Sequence, residues 1–77
     1  MKITLELFSV LREKLPPELK GKTVLHLDDG SSINDVLIKL DIKRKVVISV
    51  NGEQVSDRHY QLNDGDEVKL FSSISGG

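Results

Sequence analysis

Ser31-Ser32-Ile33-Asn34-Asp35-Val36-Leu37-Ile38-Lys39-Leu40 is the stretch on which the fold turns. Ile33, Val36, Leu37 and Leu40 follow the i, i+3, i+4, i+7 spacing that gathers apolar side chains on one face of a helix. Ser31-Ser32 supplies an N-cap, and Asp35, three residues after Ser32, occupies a capping-box-like position. The apolar stripe reads as core rather than as a cofactor site. This main helix has to bury that face against something, and the flanking segments supply it.

On the N-terminal side, Lys2-Ile3-Thr4-Leu5-Glu6-Leu7-Phe8 alternates and predicts a strand. Ile3, Leu5 and Leu7 then face the core, and Lys2, Thr4, Glu6 and Phe8 face away. Ser9 to Leu15 predicts a short helix with Ser9 as cap and Leu11 and Leu15 one turn apart. Pro16-Pro17 ends it, because a residue before proline avoids the helical region. Thr23-Val24-Leu25-His26-Leu27 is a second strand, the hairpin partner of the first, and Asp28-Asp29-Gly30 turns the chain into the helix.

On the C-terminal side, Lys43-Arg44-Lys45 is a short basic run whose ordinary role is to be solvated. Val46-Val47-Ile48-Ser49-Val50 is a third strand, and Asn51-Gly52 is a hairpin signal leading to a short return at Val55. Residues 57–63 read as irregular, anchored by Tyr60 and Leu62. Asp64-Gly65-Asp66 turns into Glu67-Val68-Lys69-Leu70-Phe71, with Val68 and Leu70 inward. A helix between two hairpins gives an α+β roll, a mixed sheet packed on one main helix. The same alternation turns Phe8 and Phe71, the chain's two phenylalanines, onto the open face of the sheet. Paired there, they would form a docking patch.

The 77 residues make one domain near the lower limit for a self-sufficient core. A formal net charge of −1 argues against nucleic-acid binding, which needs an excess of Lys and Arg. No apolar run is long enough to span a bilayer and no signal-peptide pattern opens the chain, so a cytoplasmic protein is expected, without a membrane partner. Cysteine is absent, which removes disulfides and thiolate chemistry. His26 and His59 have no spaced ligand partners, so no metal site is expected. Ser9, Ser31, Ser49 and Ser75 lack a His-Asp arrangement to activate them, and no enzyme site emerges.

What remains is the ending, Phe71-Ser72-Ser73-Ile74-Ser75-Gly76-Gly77. The expectation is a folded domain over residues 1–71 followed by a flexible tail over 72–77. Glycine has no Cβ and can pass where other residues cannot. Six extended residues reach at most roughly 20 Å, enough to enter a partner's cleft while the folded body stays outside. The main-chain carboxylate of Gly77 is then the candidate reactive group.

Taken together, the element order, Val50-Asn51-Gly52-Glu53, Leu62-Asn63-Asp64-Gly65-Asp66-Glu67-Val68 and the ending Ser75-Gly76-Gly77 resemble the β-grasp sulfur carriers over essentially the whole chain. That family, related to ubiquitin, includes the molybdopterin synthase small subunit and the thiamine-pathway carrier. The resemblance implies that an ATP-dependent, ubiquitin-activating-type enzyme adenylates Gly77, and that sulfur then replaces AMP to leave a thiocarboxylate. It implies no bound cofactor and no active site of the chain's own, ATP being used by the partner enzyme. By the same resemblance Gly76 and Ser75 thread the partner's channel. Phe8, Phe71, Ile74 and Arg12 belong to the partner surface of a protein that is monomeric when free.

Leu7-Phe8-Ser9-Val10-Leu11-Arg12-Glu13 is most similar to the molybdopterin synthase small subunit, which implies that enzyme's large subunit as second partner. Ser72-Ser73 departs from the two prolines usual there, leaving the tail less pre-extended. The alternatives are a carrier for thiamine, with thiazole synthase as partner, a carrier for another sulfur-transfer pathway, a ubiquitin-like protein modifier, or a plain binding module.

Overall fold

The computed structural model describes residues 1–73. The chain forms β1 (Lys2–Leu7), β2 (Lys22–His26), α1 (Ile33–Lys39), β3 (Val46–Val50), β4 (Glu53–Val55) and β5 (Glu67–Ser72). Two 3-10 segments, Ser9–Lys14 and Pro17–Leu19, lie between β1 and β2. The five strands make one sheet in the order β2-β1-β5-β3-β4. β1 and β5 run parallel at its centre, and the β1–β2, β3–β5 and β3–β4 pairs are antiparallel.

Alternation explains which face is covered. Ile3, Leu5 and Leu7 of β1, Ile48 and Val50 of β3, and Val68 and Leu70 of β5 are buried on one face. Ile33, Val36 and Leu37 of α1 pack into the same cluster, and Leu11, Ile42 and Leu62 close its margins. Burying a Leu or Ile side chain here contributes about 1.5–3 kcal/mol each. α1 has seven residues, too few to be stable alone, so it is held by this packing and by its start. There the expected capping box is present: the Asp35 N–H donates to Ser32 Oγ (3.4 Å) and the Ser32 N–H to Asp35 Oδ2 (2.8 Å).

The turn motifs form one structure. Asn51 (φ 52°) and Gly52 (φ 85°) both occupy the left-handed region, as a two-residue hairpin turn requires. Asn51 Nδ2 donates to Asp66 Oδ1 (2.9 Å), Asn51 Oδ1 accepts from the Glu67 N–H (2.9 Å), and Asp66 Oδ2 accepts from the Asn63 N–H (2.8 Å). The β3–β4 hairpin is thereby clasped to the turn that launches β5.

Four expectations shift. Ser9 does not cap a helix; it opens a 3-10 segment at φ 55°, preceded by Phe8 without a side-chain capping bond. Phe8 is still extended and its N–H donates to the Leu70 carbonyl (3.1 Å), so the chain bends one residue later. Pro17 does not merely stop a helix but starts the second 3-10 segment. Tyr60 is not a core anchor: its side chain is exposed, and its carbonyl instead accepts the Ile33 N–H (3.0 Å) at the start of α1. β5 runs through Ser72, which pairs with Val46, one residue beyond the expected strand. Among the described residues, no helix is long and apolar enough to cross a membrane.

Candidate functional site

The register of the central strands builds the site. β1 and β5 are parallel with Leu7 opposite Leu70, which sets Phe8 and Phe71 side by side on the face away from α1. Their rings stack with centroids 4.4 Å apart and planes 12° from parallel. Each ring covers the other, so both are half-buried rather than fully open to water. β3 adds Val47, opposite Phe71 and 40% exposed. The result is a small apolar platform at the end of the sheet where β5 finishes.

Just past the platform, the Ser73 N–H donates to the Lys45 carbonyl (3.4 Å), continuing the β3–β5 edge beyond Ser72. The chain is thus held in line with β5 up to the root of its last residues. Ile74, Ser75, Gly76 and Gly77, all expected to take part in the site, lie outside the described residues. Arg12, the remaining expected contact, sits on the first 3-10 segment, its side chain exposed and lying over Gly21. The phenylalanines were legible from alternation alone. Val47 was not, because Val46-Val47-Ile48 is a continuous apolar run whose outward member shows only in the register with Phe71. Among the described residues no group of His, Asp or Glu side chains is placed to hold a metal ion.

A mixed five-stranded sheet laid across one main helix, with its fifth strand leading directly into the C-terminal segment, defines a ubiquitin-like β-grasp protein. The chain belongs to the ThiS family, the β-grasp sulfur carriers; the family model matches residues 5–77. Among solved structures it is similar to SAMP1 from Haloferax volcanii, with 22% identity, a TM-score of 0.74 and full coverage of both chains. It is also similar to a putative molybdopterin converting factor, subunit 1, from Pyrococcus furiosus. There the identity is 20%, the TM-score 0.76, and coverage 96% of this chain and 99% of that one. A third likeness, at 17% identity and TM-score 0.67 over the whole of both chains, is to a protein–protein complex of subunits 1 and 2 of the molybdopterin-converting factor from Helicobacter pylori 26695. At these identities the likeness is one of fold. No curated protein matches the chain.

Proposed function

We propose that this sulfur carrier works through the carboxylate of Gly77, as the small subunit of a molybdopterin synthase. In the first step a carboxylate oxygen attacks the α-phosphorus of ATP on an adenylating enzyme, forming the acyl-adenylate and releasing pyrophosphate. A sulfide-equivalent donor then attacks the acyl carbon and AMP leaves, so that the chain ends in a thiocarboxylate. Adenylation is needed because a free carboxylate is a poor electrophile and AMP is the leaving group it lacks. The thiocarboxylate is itself a sulfur nucleophile, which suits a chain with no cysteine.

One observation carries this reading: the family match extends through residue 77, so it includes Ser75-Gly76-Gly77 and not only the folded body. The Phe8–Phe71 platform at the root of that segment gives a partner something to hold while the end is inserted. The choice of pathway is supported by the fold likeness to two molybdopterin converting factor subunits. The family match itself is equally compatible with a thiamine-pathway role. A second reading, conjugation of Gly77 to protein lysines, is favoured by the likeness to SAMP1, a small archaeal modifier protein.

The test is intact-mass analysis of the protein isolated from its native host. Exchange of one oxygen for sulfur at the C-terminus is expected, and the thiocarboxylated form should then support sulfur transfer with a molybdopterin synthase large subunit. Transfer only with thiazole synthase would move the protein to the thiamine pathway. Higher-mass conjugates in place of sulfur would make it a modifier.

A further inference from the structure

The basic run Lys43-Arg44-Lys45, ordinary as a sequence feature, acquires a place in the fold. The Lys45 carbonyl receives the Ser73 N–H, so the run touches the root of the C-terminal segment. One shallow groove there is bordered by Arg44, Lys45, Arg58 and Ser73, and the next by Glu13, Lys14, Asp41, Lys43 and Arg44. Lys43 and Arg58 share a third concavity at the end of α1. Residues far apart in sequence therefore form a predominantly basic collar beside the point where β5 ends. All five cationic side chains are exposed. Two carboxylates stand against these five cations in the grooves, Glu13, which is exposed, and Asp41, 3.6 Å from Lys43 in a pair open to water, so the collar keeps an excess of positive charge.

The opposite end of the sheet carries the reverse sign. Asp28, Asp29, Glu53, Asp64 and Glu67 are exposed there, around the first residues of β1 and β5, against one exposed lysine, Lys2. The six residues of β5 separate the two ends by roughly 17 Å. The Debye length at physiological salt is about 8 Å, so an approaching molecule meets one end or the other rather than the net charge of −1. A chain that is nearly neutral overall thus has its charge divided between two ends, positive where β5 finishes and negative where it begins.

Building on the proposed carrier function, we infer that the collar of Lys14, Lys43, Arg44, Lys45 and Arg58 docks on an acidic protein rim around the cleft into which the adenylating enzyme takes the C-terminal segment. Its role is to bring the tail end in first. An end-on encounter is the productive one, because the platform and Ser73, the last described residue before the C-terminal segment, lie at that same end. Long-range attraction between complementary patches acts on association rates and orientation more than on final affinity.

The experiment compares association of wild type and of the Lys43→Glu/Arg44→Glu double variant with the adenylating enzyme, from low to high ionic strength. Pyrophosphate exchange is run in parallel. The control is a matched pair of single variants, Lys2→Glu at the opposite end of the sheet set against Arg44→Glu in the collar, so that net charge changes equally. Thermal melts check that every variant is folded. The collar variant is expected to associate about tenfold or more slowly at low salt, to converge on wild type at high salt, and to exchange at a normal rate once saturating. Of the matched pair, Lys2→Glu should stay within about twofold of wild type and Arg44→Glu should be the slower. Wild-type association that is fast and insensitive to salt, or equal slowing by Lys2→Glu and Arg44→Glu, overturns the collar while leaving the carrier reading intact. Absence of both binding and exchange by wild type overturns the two together.

Discussion

Asp66 is the buried charged side chain of the described residues, 7% exposed, and it joins segments that look independent in the sequence. Its two carboxylate oxygens take one N–H from Asn51 and one from Asn63. Replacing it with Ala leaves both donors without their acceptor in a part-buried site, which costs about 1–3 kcal/mol. Urea titration of Asp66→Ala is expected to show a loss in that range. The double variant with Asn51→Ala should lose less than the sum of the singles, since the two share a bond. Gly21 is the second residue with a hidden task. It has φ 80°, and a Cβ there would stand 2.7 Å from the Leu7 carbonyl oxygen, whereas Gly65, at φ 87°, has nothing within 4 Å of its Cβ position. Gly65→Ala therefore reports the cost of left-handed backbone alone, about 1–2 kcal/mol. Gly21→Ala should unfold at a lower urea concentration because it adds a clash at the β1–β2 junction. Neither role was legible beforehand. Asn51 and Asp66 each sit in a turn dipeptide that explains itself locally, and only the pairing of β3 with β5 shows that they meet.

Strands β1 and β5 and helix α1 were readable because each carries a period matched to its own geometry, and β3 because a β-branched run ends at the Asn51-Gly52 turn. Period-two alternation placed Ile3, Leu5, Leu7, Val68 and Leu70 inward, and the 3.6-residue period placed Ile33, Val36 and Leu37 against them. The 9–19 segment was less legible. Its spacing of Leu11 and Leu15 suits a helical turn, but the segment is closed by i to i+3 bonds, the Leu11 N–H donating to the Phe8 carbonyl (3.2 Å) and the Leu15 N–H to the Arg12 carbonyl (3.1 Å), which makes 3-10 turns. The helix start can be checked directly. Ser32→Ala removes the side-chain half of the capping box and is expected to cost about 1 kcal/mol in a denaturant titration, without effect on partner binding. Phe71→Ala is the counterpart on the other face of the sheet. A fully buried aromatic would cost about 3–5 kcal/mol on truncation to Ala, so the half-buried, stacked ring should cost less than this. Its loss should instead show in partner binding. A melt reduced by the full amount of a core residue, with binding by the folded protein unchanged, would remove the platform from the site.

At the scale of the whole molecule, the apolar core of the described residues ends before the C-terminal segment that is proposed to react. Each buried apolar residue of the core lies between Ile3 and Leu70, and the last described hydrogen bond along β5 is made by Ser73. The chemistry proposed for Gly77 should therefore be removable without disturbing the fold. Adding one residue after Gly77 converts the reacting carboxylate into an amide and moves the new carboxylate on by roughly 3.5 Å. Gly76→Val leaves the carboxylate in place but puts a branched side chain where a close passage admits only backbone. Neither change alters a residue of the described core, so both variants should melt within a degree or two of wild type, and both should keep association through Phe8 and Phe71. With the adenylating enzyme and ATP, wild type is expected to drive pyrophosphate exchange, and the two variants are expected to fall to background. The two losses have different causes and can be told apart. The extended protein presents no carboxylate at the reacting position at any concentration, whereas Gly76→Val should regain measurable exchange as its concentration is raised. Robust exchange by the extended protein at wild-type levels would place the reaction elsewhere than Gly77 and would overturn the mechanism.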